Sequence, residues 1–137
     1  MLFPNQRGRD DYGCGHFGAS RGKRTHIGED FKAEPGQLVT SDVDGECTKL
    51  GYPYGDDLSF RYVQVTNSDG SHCRYFYTSP TVAVGDSIKK GQVIGRVQDI
   101  AARYTNGKMT NHIHFEVKRG GHALNPVKFL RDQGVQV

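Results

Sequence analysis

Two short segments carry residue types able to hold a divalent metal ion, His26-Ile27-Gly28-Glu29-Asp30 and His112-Ile113-His114-Phe115-Glu116. Side chains of an extended strand alternate between faces with period two, so His112, His114 and Glu116 share one face, as do His26, Gly28 and Asp30. Residues four apart, such as His26 and Asp30, also share a face on a helix, so their pairing survives either local conformation. Gly28, between them, has no side chain to crowd a bound ion. Glu29 points the other way, which makes Asp30 the better ligand candidate. Imidazole nitrogen and carboxylate oxygen together suit zinc, and three protein ligands plus one open position are the arrangement of a catalytic rather than a structural site. A hydrolase is the expectation. Spacing alone leaves open which of His112 and His114 would be the ligand.

The elements that must position these residues are short. A chain of 137 residues fits one domain with a core large enough to need no disulfide staples. Eighteen glycines and many Val, Tyr, Phe and Thr residues favour strands joined by tight turns, so a mainly β fold is expected. The net charge is only +3, with Lys and Arg scattered among acids. No basic stripe tracks a phosphate backbone, and nucleic acid is not expected as a partner. Cys14, Cys47 and Cys73 lack Cys-x-x-Cys spacing and give neither a zinc ribbon nor a complete disulfide framework, although one pair could be bridged outside the cell. The N-terminus lacks a signal-peptide stretch and no transmembrane run is seen, so the chain is expected to be made soluble and to reach any outside target by another route.

Residues 1–24 are polar and Gly-rich and read as an irregular arm or loop. Extended structure is expected from His26 to Phe31, then at 37–40, with turns at Glu34-Pro35-Gly36 and Asp44-Gly45. Residues 52–57 must form a loop. Residues 58–66 and 71–78 read as the two strands of a hairpin reversed by Asn67-Ser68-Asp69-Gly70. A strand at 93–97, up to two helical turns at 99–104, a turn at Thr105-Asn106-Gly107 and the histidine strand at 111–118 follow. Gly120-Gly121 turns the chain, and a short helix begins near Pro126.

With those residues in view the chain resembles the lysostaphin and LytM type of zinc endopeptidase, which cuts peptide crosslinks of bacterial peptidoglycan. The likeness spans roughly residues 17–130. Phe17-Gly18-Ala19-Ser20-Arg21 leads into the family's His-x-Gly-x-Asp, here His26 to Asp30. The stretch from Thr81 through Val84-Gly85-Asp86 and Lys90-Gly91-Gln92 to Val93-Ile94-Gly95 is similar to its Gly-Asp and Gly-Gln pattern. Its His-Leu-His-Phe-Glu-Val is His112-Ile113-His114-Phe115-Glu116-Val117, and its closing Asn-Pro is Asn125-Pro126. The resemblance implies that His26, Asp30 and His114 hold one zinc ion and that His112 faces substrate as a catalytic group. It also implies an antiparallel β-sheet crossed by a groove, with residues 17–137 as a single domain behind an arm of residues 1–16.

There is one departure. The family usually carries a further catalytic histidine in a Tyr-x-His-Leu segment, and here the matching stretch is Tyr75-Phe76-Tyr77-Thr78, with Tyr77 in the histidine's place. His72 is an odd number of residues away and is expected on the opposite strand face unless a bulge intervenes. In this departure, in Gly13-Cys14-Gly15 and in Tyr75 to Pro80, the chain resembles the vertebrate leukocyte cell-derived chemotaxins, signalling proteins on the same fold that are not thought of as peptidases.

The preferred reading is a zinc endopeptidase that acts as a monomer on peptidoglycan crosslink peptides at the cell wall after lysis or delivery, in a cell-wall, lytic or phage-associated setting. Its ion would acidify a water and polarise the scissile carbonyl. His112 would take or relay the proton, and Tyr77 would hydrogen-bond the developing oxyanion. The alternative is a weak or inactive zinc module that binds a peptide, glycan or protein. Glu116 is a candidate to accept the proton on the ligand histidine's remote nitrogen; a solvated strand residue is the plainer alternative. Tyr52 and Tyr54 are candidates for a groove wall, whereas Cys14 with His16 make no site and His122 falls in a loop.

Overall fold

In the computed structural model, residues 27–104 and 109–137 are described, together with four two-residue strands upstream. Of these, β1 (Arg9–Asp10) pairs with β2 (Gly13–Cys14), and β3 (Ser20–Arg21) with β4 (Arg24–Thr25). His26, most of the expected arm of residues 1–16, the segment 15–19 and the turn at Thr105-Asn106-Gly107 lie outside the described residues. The remainder supplies β5 (Glu29–Lys32), β6 (Leu38–Thr40), β7 (Gly45–Gly51), β8 (Tyr62–Thr66), β9 (His72–Phe76), β10 (Thr78–Pro80), β11 (Ser87–Ile88), β12 (Val93–Val97), β13 (His112–Arg119) and β14 (His122–Ala123). One turn of 3-10 helix, Ile100–Arg103, and one α-helix, α1 (Pro126–Asp132), complete the described elements.

The fold is mainly β, as composition implied, and its described strand pairs are antiparallel, as the family resemblance implied. A seven-stranded sheet runs β11-β7-β8-β9-β13, and β5 and β14 lie end to end along the far edge of β13. A second sheet has the order β10-β12-β6. One face of the large sheet contributes Val63, Val65, Tyr75, Ile113, Phe115 and Val117 to a single buried cluster, which Val39 and Ile94 of the small sheet and Phe129 and Leu130 of α1 complete. Within it the Tyr75 hydroxyl donates to Asp42 Oδ2 at 2.7 Å and accepts the Asp42 backbone N–H at 3.0 Å. Burial pushes the Asp42 carboxyl above its usual range.

Local chemistry explains most boundaries. The β8–β9 hairpin turns where the Gly70 N–H donates to the Asn67 carbonyl and Asp69 Oδ1 accepts the Ser71 N–H. The Asn125 side chain caps α1 by accepting the N–H groups of Val127 and Lys128, with Pro126 at the first helical position. Cys47 and Cys73 each face Val65 from opposite sides, two strand spacings apart at roughly 10 Å, beyond disulfide reach. Both are free and buried, so these two are not the bridge allowed for above.

Two strand expectations need correction. The strand expected at 58–66 begins only at Tyr62, and Leu58 is 60% exposed in the preceding loop. The strand expected at 71–78 is broken at Tyr77, whose φ is +64°. There the Arg61 carbonyl accepts the N–H groups of both Tyr77 and Thr78, at 2.8 and 3.1 Å. The ladder ends and the chain leaves the large sheet for the small one.

Candidate functional site

Alternation along β13 sends Ile113, Phe115 and Val117 into the core and His112, His114 and Glu116 to the opposite face. That second face is also buried. β5 brings Asp30 directly opposite His114 in the antiparallel register, and Asp30 is 2% exposed. Asp30 Oδ1 lies 2.8 Å from His114 Nδ1, and Asp30 Oδ2 lies 3.6 Å from His112 Nε2. On the other side of the ring, His114 Nε2 is 3.0 Å from Glu116 Oε1. His112 Nδ1 is 2.6 Å from the Thr110 carbonyl oxygen. Phe76, opposite His114 on β9, packs edge-on to the imidazole at 5.0 Å.

These contacts distinguish the two histidines. A carbonyl can only accept, so His112 Nδ1 donates to Thr110, and Nε2 is the ring nitrogen turned toward Asp30. His114 stands between two carboxylates. Burial alone would lower its pKa, but the hydrogen bonds to Asp30 and Glu116 outweigh it and hold the ring up at about 9. Burial likewise opposes the Glu116 charge, yet His114 keeps that carboxyl below its usual range. With Glu116 accepting from Nε2, the space between His114 Nδ1 and Asp30 Oδ1 must hold a positive charge, either a proton or a cation, or two lone pairs would face each other at 2.8 Å.

Gly28 has a different role from the one its spacing suggested. A Cβ there would lie 2.5 Å from His114 Cε1 and 2.6 Å from the Phe115 carbonyl oxygen. The missing side chain makes room for the imidazole itself.

Tyr77 reaches this face through its kink. Regular alternation from Tyr75 would have turned residue 77 to the core, but the positive φ sets its ring edge-on to His112 at 5.4 Å. His72 is therefore on the same side as Tyr77, contrary to the parity expectation. It is still remote: it pairs with Lys118, four positions along β13 from His114, and its Nδ1 bonds the Thr66 hydroxyl. Burial, followed by the neighbouring Tyr54, raises the Tyr77 pKa well above that of a free phenol. Tyr54 stacks on Tyr77 with ring centroids 6.2 Å apart, and Phe60 sits edge-on to both. Tyr54 thus walls the site, whereas Tyr52 is half exposed and stacks with Arg61.

Asp30, His112, His114, Glu116 and Tyr77 are therefore together, and His26 lies outside the described residues. Among the described residues no three His, Cys, Asp or Glu side chains converge as a complete ligand set. Sequence reasoning missed the Thr110 carbonyl on His112, Phe76 beside His114, and Arg103, which lies over the Tyr54 ring. A backbone carbonyl leaves no mark in a residue pattern, and no spacing relates Arg103 to Tyr54.

Known proteins share this arrangement of strands. The chain is 31% identical over 108 residues to leukocyte cell-derived chemotaxin-2 of Bos taurus, covering 78% of this chain and 69% of that protein. It is 28% identical over 130 residues to the glycyl-glycine endopeptidase ALE-1 of Staphylococcus capitis, covering 90% of this chain but 34% of the endopeptidase. The catalytic domain of the antimicrobial peptidase lysostaphin from Staphylococcus simulans superposes with a TM-score of 0.65 at 26% identity, covering 89% of this chain and 91% of that domain. The chain spans 56% of a longer lysostaphin structure, with a TM-score of 0.69. The model of Peptidase family M23 matches residues 24–126, and the chain belongs to that family.

Proposed function

We propose that this chain is a zinc-dependent endopeptidase that hydrolyses peptide crosslinks of bacterial peptidoglycan. The observation that carries this reading is the buried Asp30–His114 pair at 2.8 Å, with Glu116 on the remote nitrogen. The donor set suits zinc: one carboxylate oxygen and one imidazole nitrogen whose tautomer a second carboxylate fixes. His26, Asp30 and His114 would hold a single ion. When bound, the ion supplies a Lewis acid for the scissile carbonyl and lowers the pKa of water to about 7. His112, its Nδ1 donating to Thr110, turns Nε2 toward Asp30 to accept a proton from water and return it to the leaving amine. Tyr77 stays protonated at neutral pH, so it donates to the developing oxyanion rather than acting as a base. The similarity to a glycyl-glycine endopeptidase and to lysostaphin supports a peptide crosslink as substrate. The chain would act at the cell wall as a monomer, in a lytic or phage-associated setting. Among the described residues no helix is long and apolar enough to cross a membrane.

The test is release of new amino termini from purified peptidoglycan by zinc-loaded protein, with loss in His114→Ala. No release over a broad pH range and several crosslink chemistries, with zinc verified as bound, refutes the reading.

A second reading, a zinc module that binds a peptide, glycan or protein without cleaving it, is favoured by Tyr77, which is partly buried with its hydroxyl engaged by Tyr54. On that view Tyr77→His creates activity where none existed. On the enzyme view Tyr77→Phe lowers an existing rate by about 100- to 1000-fold, the usual effect of losing one oxyanion donor.

A further inference from the structure

Arg103 fastens the loop between β7 and β8 to the 3-10 turn. Its Cζ lies over the Tyr54 ring, 3.9 Å from the centroid, and the two terminal nitrogens reach Asp57 Oδ2 at 3.3 Å and Asp56 Oδ1 at 3.5 Å. Asp57 is itself fixed to the loop, accepting the Ser59 backbone N–H at 3.1 Å and the Ser59 hydroxyl at 2.5 Å. Held between the guanidinium on one side and Tyr77 on the other, the Tyr54 ring is nearly parallel to Tyr77, at 13°, and their hydroxyls are 3.4 Å apart. Phe60 closes the edge of both rings. Arg103 suits this task because its planar fork both stacks on an aromatic face and spans two carboxylates, which an ammonium cannot do.

We propose that Arg103 and Tyr54 are positioning residues that clamp the Tyr77 hydroxyl at the edge of the His112–Asp30 site. The proposal rests on the reading above that Tyr77 donates a hydrogen bond during catalysis. Neither clamp residue touches the reacting atoms. The Tyr54 hydroxyl sets where the Tyr77 oxygen sits, and at 3.4 Å the contact is long enough that Tyr77 exchanges it for a bond to substrate at little cost. An error of about 1 Å in a catalytic group lowers rate by roughly 100-fold. The clamp supplies that precision to the side chain, while backbone bonds to Arg61 and Gln98 hold the main chain at the break.

The experiment uses zinc-loaded protein labelled with tyrosine ring carbon-13, with the Tyr77 signal assigned by Tyr77→Phe. Tyr54→Phe keeps the ring stack and removes the hydroxyl; Arg103→Leu removes the stack and both ion pairs; Arg103→Lys keeps the charge. The Tyr77 Cζ resonance is expected to shift in Tyr54→Phe and to broaden or shift in Arg103→Leu, with Arg103→Lys intermediate, while zinc stoichiometry is unchanged. On a crosslink peptide, kcat is expected to fall about 10- to 100-fold in Tyr54→Phe at nearly constant KM. Tyr54→Phe combined with Tyr77→Phe is expected to be no slower than Tyr77→Phe alone. A Tyr77 resonance unmoved in both Tyr54→Phe and Arg103→Leu overturns the clamp. Should the protein cleave nothing, the endopeptidase reading fails on its own assay, and the resonance still decides whether the clamp exists.

Discussion

The carboxylate of Glu116 offers a sharp test of how the proposed metal site is built. Glu116 is almost wholly buried, with Oε1 3.0 Å from His114 Nε2. Its role in the proposed site is to hold the Nε2 proton so that the Nδ1 lone pair is given to an ion shared with Asp30. Glu116→Gln keeps a carbonyl able to accept that proton but removes the charge that makes the ring a stronger donor to a metal. Loss of such outer partners typically lowers metal affinity 10- to 100-fold, which is about 1.4 to 2.8 kcal/mol. The Gln variant belongs near the tenfold end because an acceptor remains. Glu116→Ala leaves a buried N–H unpaired, a further penalty of about 1–3 kcal/mol. The ring can escape that penalty only by moving its proton to Nδ1 and giving up the ligand nitrogen. The Ala variant is therefore expected to bind zinc at least 100-fold more weakly than the parent. Chelator competition at one fixed pH measures this, with thermal melts in excess chelator separating affinity from folding. If Glu116→Ala binds zinc as tightly as the parent while His114→Ala does not bind, the tautomer account is wrong.

Further outcomes follow from other contacts. Gly28→Ala puts a Cβ 2.5 Å from the His114 ring and 2.6 Å from the Phe115 carbonyl, which the strand pairing of β13 with β5 holds in place. The imidazole must yield, and zinc affinity measured in the same competition is expected to drop at least as far as in Glu116→Ala; unchanged affinity refutes the close-packing account. Thr78 Oγ1 is a buried side-chain oxygen with no hydrogen-bond partner among the described residues, so the isosteric Thr78→Val is expected to raise stability by about 1 kcal/mol in denaturant melts. A loss of stability would reveal a hidden partner. The Ser71 N–H and hydroxyl, with Arg119, hold the exposed Asp69 carboxyl below its usual pKa. These bonds favour the ionised folded form, so their contribution is present above the ordinary carboxylate pKa and lost as pH falls through the lowered value. Solvent screening keeps the effect under about 1 kcal/mol, and the acid limb of the stability profile should flatten in Asp69→Asn.

Much of the site was legible because it lies on one strand with one period. Ile113, Phe115 and Val117 on the core face of β13 oblige His112, His114 and Glu116 to share the other, and no tertiary contact is needed to infer it. The β8–β9 turn and the cap of α1 were legible for a similar reason, since Asn67 to Gly70 and Asn125-Pro126 act on their own backbone. β7 was not. Gly45 at one end read as a turn residue and Gly51 at the other borders the expected loop, yet both lie in the strand where a neighbour comes too close for a side chain. A Cβ on Gly51 would lie 2.1 Å from the Tyr62 ring, which crosses β7 at that point. Close approach by a distant strand leaves the same residue as a reverse turn, so the sequence does not separate the two causes.

The break at Tyr77 was illegible for a deeper reason. A left-handed φ is costly for a bulky aromatic residue, of order 1–3 kcal/mol, so neither Gly nor Asn marked the kink and the strand pattern ran straight through it. Three backbone bonds hold it: the Arg61 carbonyl accepts the N–H groups of Tyr77 and Thr78, and the Tyr77 carbonyl accepts the Gln98 N–H. Histidine tolerates this region better than tyrosine. If the kink served only the chain's passage between sheets, a small or glycine residue would meet the need with less strain. What the ring gains there is a place against His112, where regular alternation would have buried it in the core. The strain is thus tied to the direction in which residue 77 points.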